Sequence, residues 1–224
     1  MTSIFTLIPV KKLIESKRRL SEILEPKERR DFTLIMLKDV LKAIVSSSMI
    51  HRTVVIGSDP DVQSLASNFG AVFLLDTESG LNLALKHATR WCMENGAESL
   101  LILPSDVPLV TSEDIDRIIH LSSDECSLVL SPSKNGGTNA LMQRPPDLVE
   151  PHFGPGSFER HILEASKKGM IAKVYRSLRI VLDVDSIEDL REFLKLGEGT
   201  SSYNFLKNIK VDERLKNSST NSLM

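Results

Sequence analysis

Residues 53–75, TVVIGSDPDVQSLASNFGAVFLL, hold one complete unit of the pattern that decides the fold. Thr53–Gly57 is a short β-branched run of strand type. Asp59-Pro60 opens a helix, because the carboxylate can cap the first free amides and the proline has its φ preset for the first turn. That helix ends near Gly70, and Val72–Leu75 is apolar again. Strand, helix and strand in so short a stretch predict a parallel pair joined by a crossover helix.

The same alternation extends to both sides. Ile4–Pro9, Leu100–Pro104, Ser127–Ser131 and Ile180–Val184 read as strands, and Ala140–Arg144 resembles a further short one. Pro26–Ser46 is predicted helical, with Phe32, Ile35, Met36, Val40, Leu41 and Ile44 on one stripe. Leu81–Asn95 forms a helix ended by Gly96, and Ser157–Lys168 one closed by Gly169. Thr111 with Asp114, and Ser186 with Asp189, have capping-box spacing, the second box leading a helix to Leu196. The expected architecture is a single α/β domain over residues 1–209, a three-layer α/β/α arrangement with a mostly parallel central sheet. Functional loops should lie at the strand C-terminal ends. Residues 210–224 are polar and repeat Asn and Ser, which predicts a disordered or loosely held tail.

Composition narrows the partners. The chain has 224 residues, 41% hydrophobic and 26% charged, with a formal net charge of −2. Such a chain folds, and it has no global attraction to nucleic acid or anionic membrane, so a small-molecule partner is expected. Phosphate binding must then come from local cations and helix N-termini. The two cysteines, Cys92 and Cys126, are far apart and lack companions at metal-ligand spacing, which argues against a disulfide framework or zinc and fits a reducing cytoplasm. The apolar run from Ile4 has no basic segment or cleavage site before it, and no stretch approaches the ~18 apolar residues of a membrane span.

The sharpest chemical signal is Leu103-Pro104-Ser105-Asp106-Val107-Pro108. An acidic residue just past an apolar strand, held between prolines, offers the hard oxygen that Mg²⁺ takes. The competing reading, an Asp that merely caps a turn, is weakened by the strand before it. Asp183-Val184-Asp185 also follows an apolar run, and alternation on an extended chain points both carboxylates the same way. Asp185 is equally placed to cap the next helix beside Ser186. Lys11 and the Ser16-Lys17-Arg18-Arg19 run follow the first strand, where they can either grip a triphosphate or form a solvated basic face. The glycine spacing of a P-loop or dinucleotide fingerprint is missing there. Asn135–Asn139 and Phe153–Phe158 form two glycine loops, the second ending at Ser157 where a helix begins, an arrangement suited to phosphate or carboxylate. His161, one turn into that helix, reads as a surface or packing residue before it reads as a site residue.

Taken in order, these motifs closely resemble the 2-phospho-L-lactate guanylyltransferase family of coenzyme F-420 biosynthesis. The likeness rests on Ile8-Pro9-Val10-Lys11 with Lys17, Arg19 and Leu20; on Gly80-Leu81-Asn82; on Leu103–Pro108; on Gly137–Leu141; on Phe153–Phe158; and on Leu182–Asp185. It implies a nucleotidyltransferase with a glycosyltransferase type A-like fold, which joins GTP to a phosphorylated three-carbon acid with Mg²⁺. It assigns Asp106, Asp183 and Asp185 to the metal, Thr138, Gly154 and Ser157 to the acceptor, and Lys11, Lys17 and Arg19 to the GTP phosphates. Asp106, Lys17 and Arg19 are then the catalytic set, and Gly80 and Asn82 lie near base or ribose. Some relatives take phosphoenolpyruvate or 3-phosphoglycerate, and a homodimer is plausible, with Phe193–Leu206 as its candidate surface. Sugar-nucleotide pyrophosphorylases share the fold but would carry a glycine-rich loop where this chain has Pro9-Val10-Lys11. A non-catalytic nucleotide-binding subunit is the alternative from another class.

Overall fold

A computed structural model describes residues 3–221. Seven strands among them form one sheet in the order β3-β2-β1-β4-β6-β5-β7. The strands are β1 (Ile4–Pro9), β2 (Arg52–Gly57), β3 (Val72–Leu75), β4 (Ser99–Ile102), β5 (Ser127–Pro132), β6 (Thr138–Arg144) and β7 (Lys173–Val174). β1 to β4 are mutually parallel, and β6 alone runs against its neighbours β4 and β5. Chain order reverses at β1, which has β2 on one side and β4 on the other, and in open sheets of this kind ligands bind at such a reversal, beyond the strand C-terminal ends. β6 starts where β4 ends: Ile102 pairs with Leu141, and counting on brings Asn139 level with the segment just past β4. The antiparallel strand thus brings its first residues to the functional edge.

Strand alternation splits the core into two faces. Ile4, Ile8, Val55, Leu101, Val129 and Met142 pack against α1 (Pro26–Val45), α2 (Pro60–Asn68) and α4 (Ser112–Leu121). Phe5, Leu7, Val54, Ile56, Leu100, Ile102 and Leu141 pack against α3 (Leu81–Glu94) and α5 (Ser157–Lys167). The predicted caps form: Asp59 accepts from Asp61 N, and Thr111/Asp114 and Ser186/Asp189 make reciprocal boxes. No helix among the described residues is long and apolar enough to cross a membrane.

Three expectations are corrected. Ile180–Val184 is not a strand. Leu178–Val181 forms one helical turn, α6, whose Ser177 cap accepts from Ile180 N, and only Leu182 onward is extended. Tertiary partners, named below, override the β-branched propensity of Ile180 and Val181. The stretch Phe193–Leu206 is not one continuous element but falls on two helices, α7 (Ile187–Leu196) and α8 (Ser201–Asn208), and its Phe193 and Leu206 are both fully buried within the chain's own core. The polar stretch that follows is helical where a disordered or loosely held tail is expected. Val211–Asn221 forms α9, with Val211 and Leu215 buried and Arg214 donating to both Glu28 carboxylate oxygens at 2.6 and 2.8 Å. Residues 222–224 lie outside the described residues.

These C-terminal helices build a third apolar cluster, in which Leu20, Phe32, Met36, Leu109, Leu182, Val184, Leu190, Phe193 and Leu206 meet. The cluster holds Leu20, Leu109 and Val184 in place. Those three residues anchor the basic loop, the Pro108 segment and the acidic pair from behind.

Candidate functional site

Asp106 lies on the turn after β4, between buried Leu103 and Val107. Its backbone carbonyl accepts from Val184 N at 3.0 Å, which stitches the two acidic segments together. Val184 is fully buried, so Asp183 and Asp185 on either side of it turn away from the core, as alternation requires. The three carboxylates predicted from separate motifs therefore share one site.

Lys17 joins them. Its ammonium is 2.8 Å from Asp106 Oδ2 and 2.6 Å from Asp185 Oδ1, and its side chain is only 4% exposed. The residue adopts φ 51, ψ 37, a left-handed conformation that costs a non-glycine residue about 1–2 kcal/mol. The two ion pairs offset that strain. The neighbouring Ser16 hydroxyl donates to Leu13 O and accepts from Thr33, fixing the loop to α1. Burial opposes the Lys17 charge, but Asp106 and Asp185 outweigh it and hold its pKa above the usual value. Asp185 moves the other way: burial would raise it, yet Lys17 wins, with Lys11 and Arg19 adding to the effect. Lys11 and Arg19 are exposed and close enough to act on Asp185. All three predicted cations converge on Asp185, with Lys17 paired to two carboxylates and Lys11 and Arg19 exposed beside it.

Asp183 has no such partner. Burial first, then the charge of Asp106, push its pKa up to about 6, and Asn139 Nδ2 is its hydrogen-bond donor, at 3.2 Å. The same amide donates to the carbonyls of Ile180 at 2.9 Å and Val181 at 3.2 Å, capping α6 just ahead of Asp183. Asp114 ties down the other end of that turn, accepting from Arg179 at 2.8 Å and Tyr175 at 2.8 Å. Burial would raise the pKa of Asp114, but Arg179, Thr111 and Tyr175 bring it down to about 2. No role for Asn139 follows from its place in the Asn135–Asn139 loop. Its signal was a polar residue near the start of an otherwise apolar strand, where Asn is disfavoured.

The second cluster starts one residue earlier on β6. Thr138 Oγ1 lies 2.9 Å from Ser157 Oγ and 3.1 Å from Nδ1 of His161, which is fully buried rather than at the surface. Consecutive strand residues face opposite sides, so Thr138 serves this cluster while Asn139 serves the acidic one. The expected anion-binding amides of α5 are partly committed, since Ser157 N donates to Gly154 O and Phe158 N to Gly136 O. These bonds fasten the two glycine loops together. A Cβ at Gly137 would sit 2.8 Å from Ser133 Oγ, so a side chain there would push away the hydroxyl that accepts from Gly137 N at 2.8 Å. Thr138 and Ser157 are 4% and 0% exposed, beneath the exposed Gly154–Gly156 turn. Asn82 belongs here too. Its amide donates to Phe153 O at 3.1 Å and accepts from Phe153 N at 2.8 Å, so it joins the start of α3, whose N-cap is Gly80, to the Phe153–Gly156 loop.

His161 yields a stability prediction. Burial, reinforced by His152 and Arg160, lowers its pKa to about 4. The folded state therefore refuses a proton that the unfolded chain accepts below about pH 6.5. This contribution to stability is complete above that pH and is lost as pH falls toward 4, at up to roughly 1.4 kcal/mol per pH unit. Asp183, with its raised pKa, slopes the opposite way, so the measurement is a difference. Urea unfolding of wild type and H161N between pH 7 and 4.5 should show wild type losing more stability on acidification; parallel curves would refute it.

The described surface includes two modest concavities. One, about 350 Å³, is lined by Lys12, Leu13, Ile14, Ser58 and Asp59 beside the loop after β1. The other, about 310 Å³, lies along α5 with His152, Arg160 and Glu164.

Residues 4–224 match the family described as Guanylyl transferase CofC like. The 2-phospho-L-lactate guanylyltransferase of Methanobrevibacter smithii is 34% identical, covering 96% of this chain and 98% of that one. The phosphoenolpyruvate guanylyltransferase of Rubrobacter xylanophilus is 38% identical, covering 84% and 92%. Among solved structures, a Desulfovibrio desulfuricans G20 protein provisionally described as a nucleotide-diphospho-sugar transferase superposes with a TM-score of 0.78 at 16% identity, covering 97% and 98%. CMP:2-keto-3-deoxy-manno-octonic acid synthetase complexed with CTP gives 0.59 at 14% identity, covering 88% and 98%. At those identities the structural likeness speaks for the fold.

Proposed function

The chain belongs to the CofC-like guanylyl transferase family and is a guanylyltransferase; from that premise we propose that it transfers GMP from GTP to 2-phospho-L-lactate. The products are lactyl-2-diphospho-5′-guanosine and pyrophosphate, and the setting is coenzyme F-420 biosynthesis in the cytoplasm. The observation that carries the chemistry is the convergence of Asp106, Asp183 and Asp185 beside Lys11, Lys17 and Arg19.

The residues fit a magnesium ion. Among the described residues no three His, Cys, Asp or Glu side chains stand ready around one point, because Lys17 lies between Asp106 and Asp185. Yet three carboxylates against one buried ammonium leave two negative charges, and Asp183 has no cation of its own. Hard oxygens with that charge suit a divalent ion held by Asp106, Asp183 and Asp185. When bound, Mg²⁺ supplies the positive charge that lets two polyanions approach.

The remaining work falls to the protein. An acceptor phosphate oxygen attacks the α-phosphorus of GTP and pyrophosphate departs in line. No general base is needed, because a phosphomonoester with a second pKa of about 6 is already anionic at neutral pH. Lys11 and Arg19 neutralise the departing pyrophosphate. Thr138, Gly154 and Ser157 hold the acceptor, and the concavity beside Lys12 is large enough to take part of a nucleoside.

Phosphoenolpyruvate is the second reading for the acceptor, supported by the Rubrobacter xylanophilus relative. It carries phosphate and carboxylate on the same carbon, as 2-phospho-L-lactate does, so one cluster could hold either; 3-phosphoglycerate is a third candidate. The test is pyrophosphate release across nucleoside triphosphates and these three acids. We expect release that requires Mg²⁺ and acceptor together and is fastest with GTP and 2-phospho-L-lactate. GTP binding without release for any acid would leave a non-catalytic subunit.

A further inference from the structure

His161 stands behind the acceptor hydroxyls, fully buried, and the reaction as described makes no use of it. Its Nε2 lies 3.0 Å from the backbone nitrogen of His152. A backbone N–H can only donate, so Nε2 must accept and carries no proton. The ring proton of the neutral imidazole is therefore on Nδ1, 3.1 Å from Thr138 Oγ1, and Thr138 is the acceptor of that bond. Burial keeps the ring neutral well below physiological pH, with its pKa lowered to about 4. The Phe153 ring packs edge-on against His161 at 5.5 Å, and Asn82 holds Phe153 from the other side.

Counting protons gives the consequence. The Thr138 and Ser157 hydroxyls, 2.9 Å apart, own two protons between them, and their mutual bond uses one. With Nδ1 protonated, the other proton is left over. With the opposite tautomer, Nδ1 would take it, and the pair would have nothing to offer an anion.

We propose that His161 is a positioning residue: by donating from Nδ1 to Thr138, it keeps one hydroxyl proton of the Thr138–Ser157 pair available to the phosphate or carboxylate of the acceptor. This rests on the reading of Thr138 and Ser157 as acceptor ligands. It also accounts for a buried histidine held at both nitrogens beside a pair of hydroxyls.

Two amide substitutions separate the ring's two bonds. Asn places an amide near the Nδ1 position and can still donate to Thr138, whereas Gln reaches the Nε2 position and leaves Thr138 without its donor. Steady-state kinetics should use GTP with 2-phospho-L-lactate and with phosphoenolpyruvate. For H161Q we expect the acceptor KM to rise about tenfold, in keeping with a lost hydrogen bond to a charged group, while the GTP KM stays within about twofold. H161N should recover most of the loss in acceptor KM. A merely structural role would move both KM values together, or the melting temperature alone. ¹⁵N shifts of the wild-type imidazole at neutral pH give a readout that needs neither variant nor turnover: protonation at Nδ1 supports the proposal, and protonation at Nε2 overturns it. Wild-type turnover with an unchanged acceptor KM in folded H161Q overturns it as well. Wild-type protein inert toward every acid would instead overturn the functional reading, and this inference with it.

Discussion

Asp106→Asn is expected to lower turnover roughly a hundredfold to a thousandfold, the range seen when one electrostatic contact to a transition state is removed. The fold should persist. The Asp106 side chain is 25% exposed, and the bond to Val184 N that ties the acidic segments together comes from its backbone carbonyl, which asparagine keeps. The substitution also removes a charge that repels Asp183, so part of the lost pairing with Lys17 is offset. Pyrophosphate release at saturating GTP, acceptor and Mg²⁺, alongside a thermal melt, checks both halves. A mutant with near wild-type rate under those conditions would end the assignment of Asp106 to the metal and to catalysis.

Lys17→Met should fail differently. Turnover falls by a comparable factor, but here stability falls too, because Asp106 and Asp185 lose the cation between them. Stripping one partner from a fully buried pair costs about 3–5 kcal/mol. Asp106 and Asp185 reach solvent, at 25% and 42% exposure, so screening brings the expected cost down to about 1–2 kcal/mol. For a chain of this length that lowers the melting temperature by roughly 5 °C in chelator. The Lys17 pKa is raised, so its contribution is fully present at neutral pH and disappears only in strong alkali. Millimolar Mg²⁺ should restore more stability to the variant than to wild type, since the ion then faces carboxylates with no competing ammonium. Equal melting temperatures for both proteins in chelator would refute the counter-charge role.

Unequal stability outcomes at two residues 2.8 Å apart follow from the sign of the local charge. Removing Asp106 loses one pairing but lessens the repulsion on Asp183, whereas removing Lys17 loses two pairings and offsets neither.

Much of this was legible from local pattern. Asp106 was readable because an apolar strand followed by two prolines leaves few roles for the acid between them. The Asp183–Asp185 pair was readable from alternation, and buried Val184 is the physical reason both face one way. The caps at Asp59, Thr111 and Ser186 formed where the spacing placed them. Local pattern misled at Ile180-Val181, where two β-branched residues suggested a strand. Asn139, 41 residues away from Ile180, caps the helical turn that formed instead. The tail was misread for a similar reason: its polarity hid Val211 and Leu215, whose partners lie on other helices.

By itself, then, the sequence determined what depends on neighbours along the chain: the alternation of strand and helix, the parallel sheet with its ligand edge, and which acids and glycines lie there. Only the tertiary structure decided what those groups do to one another. Lys17 had the look of a phosphate grip until folding set it against Asp106 and Asp185, 89 and 168 residues distant. His161 passed for a packing residue until His152 and Thr138 fixed its proton. Charge pairing and proton placement are set by distances of about three ångströms across the fold, and spacing along the chain does not encode such distances.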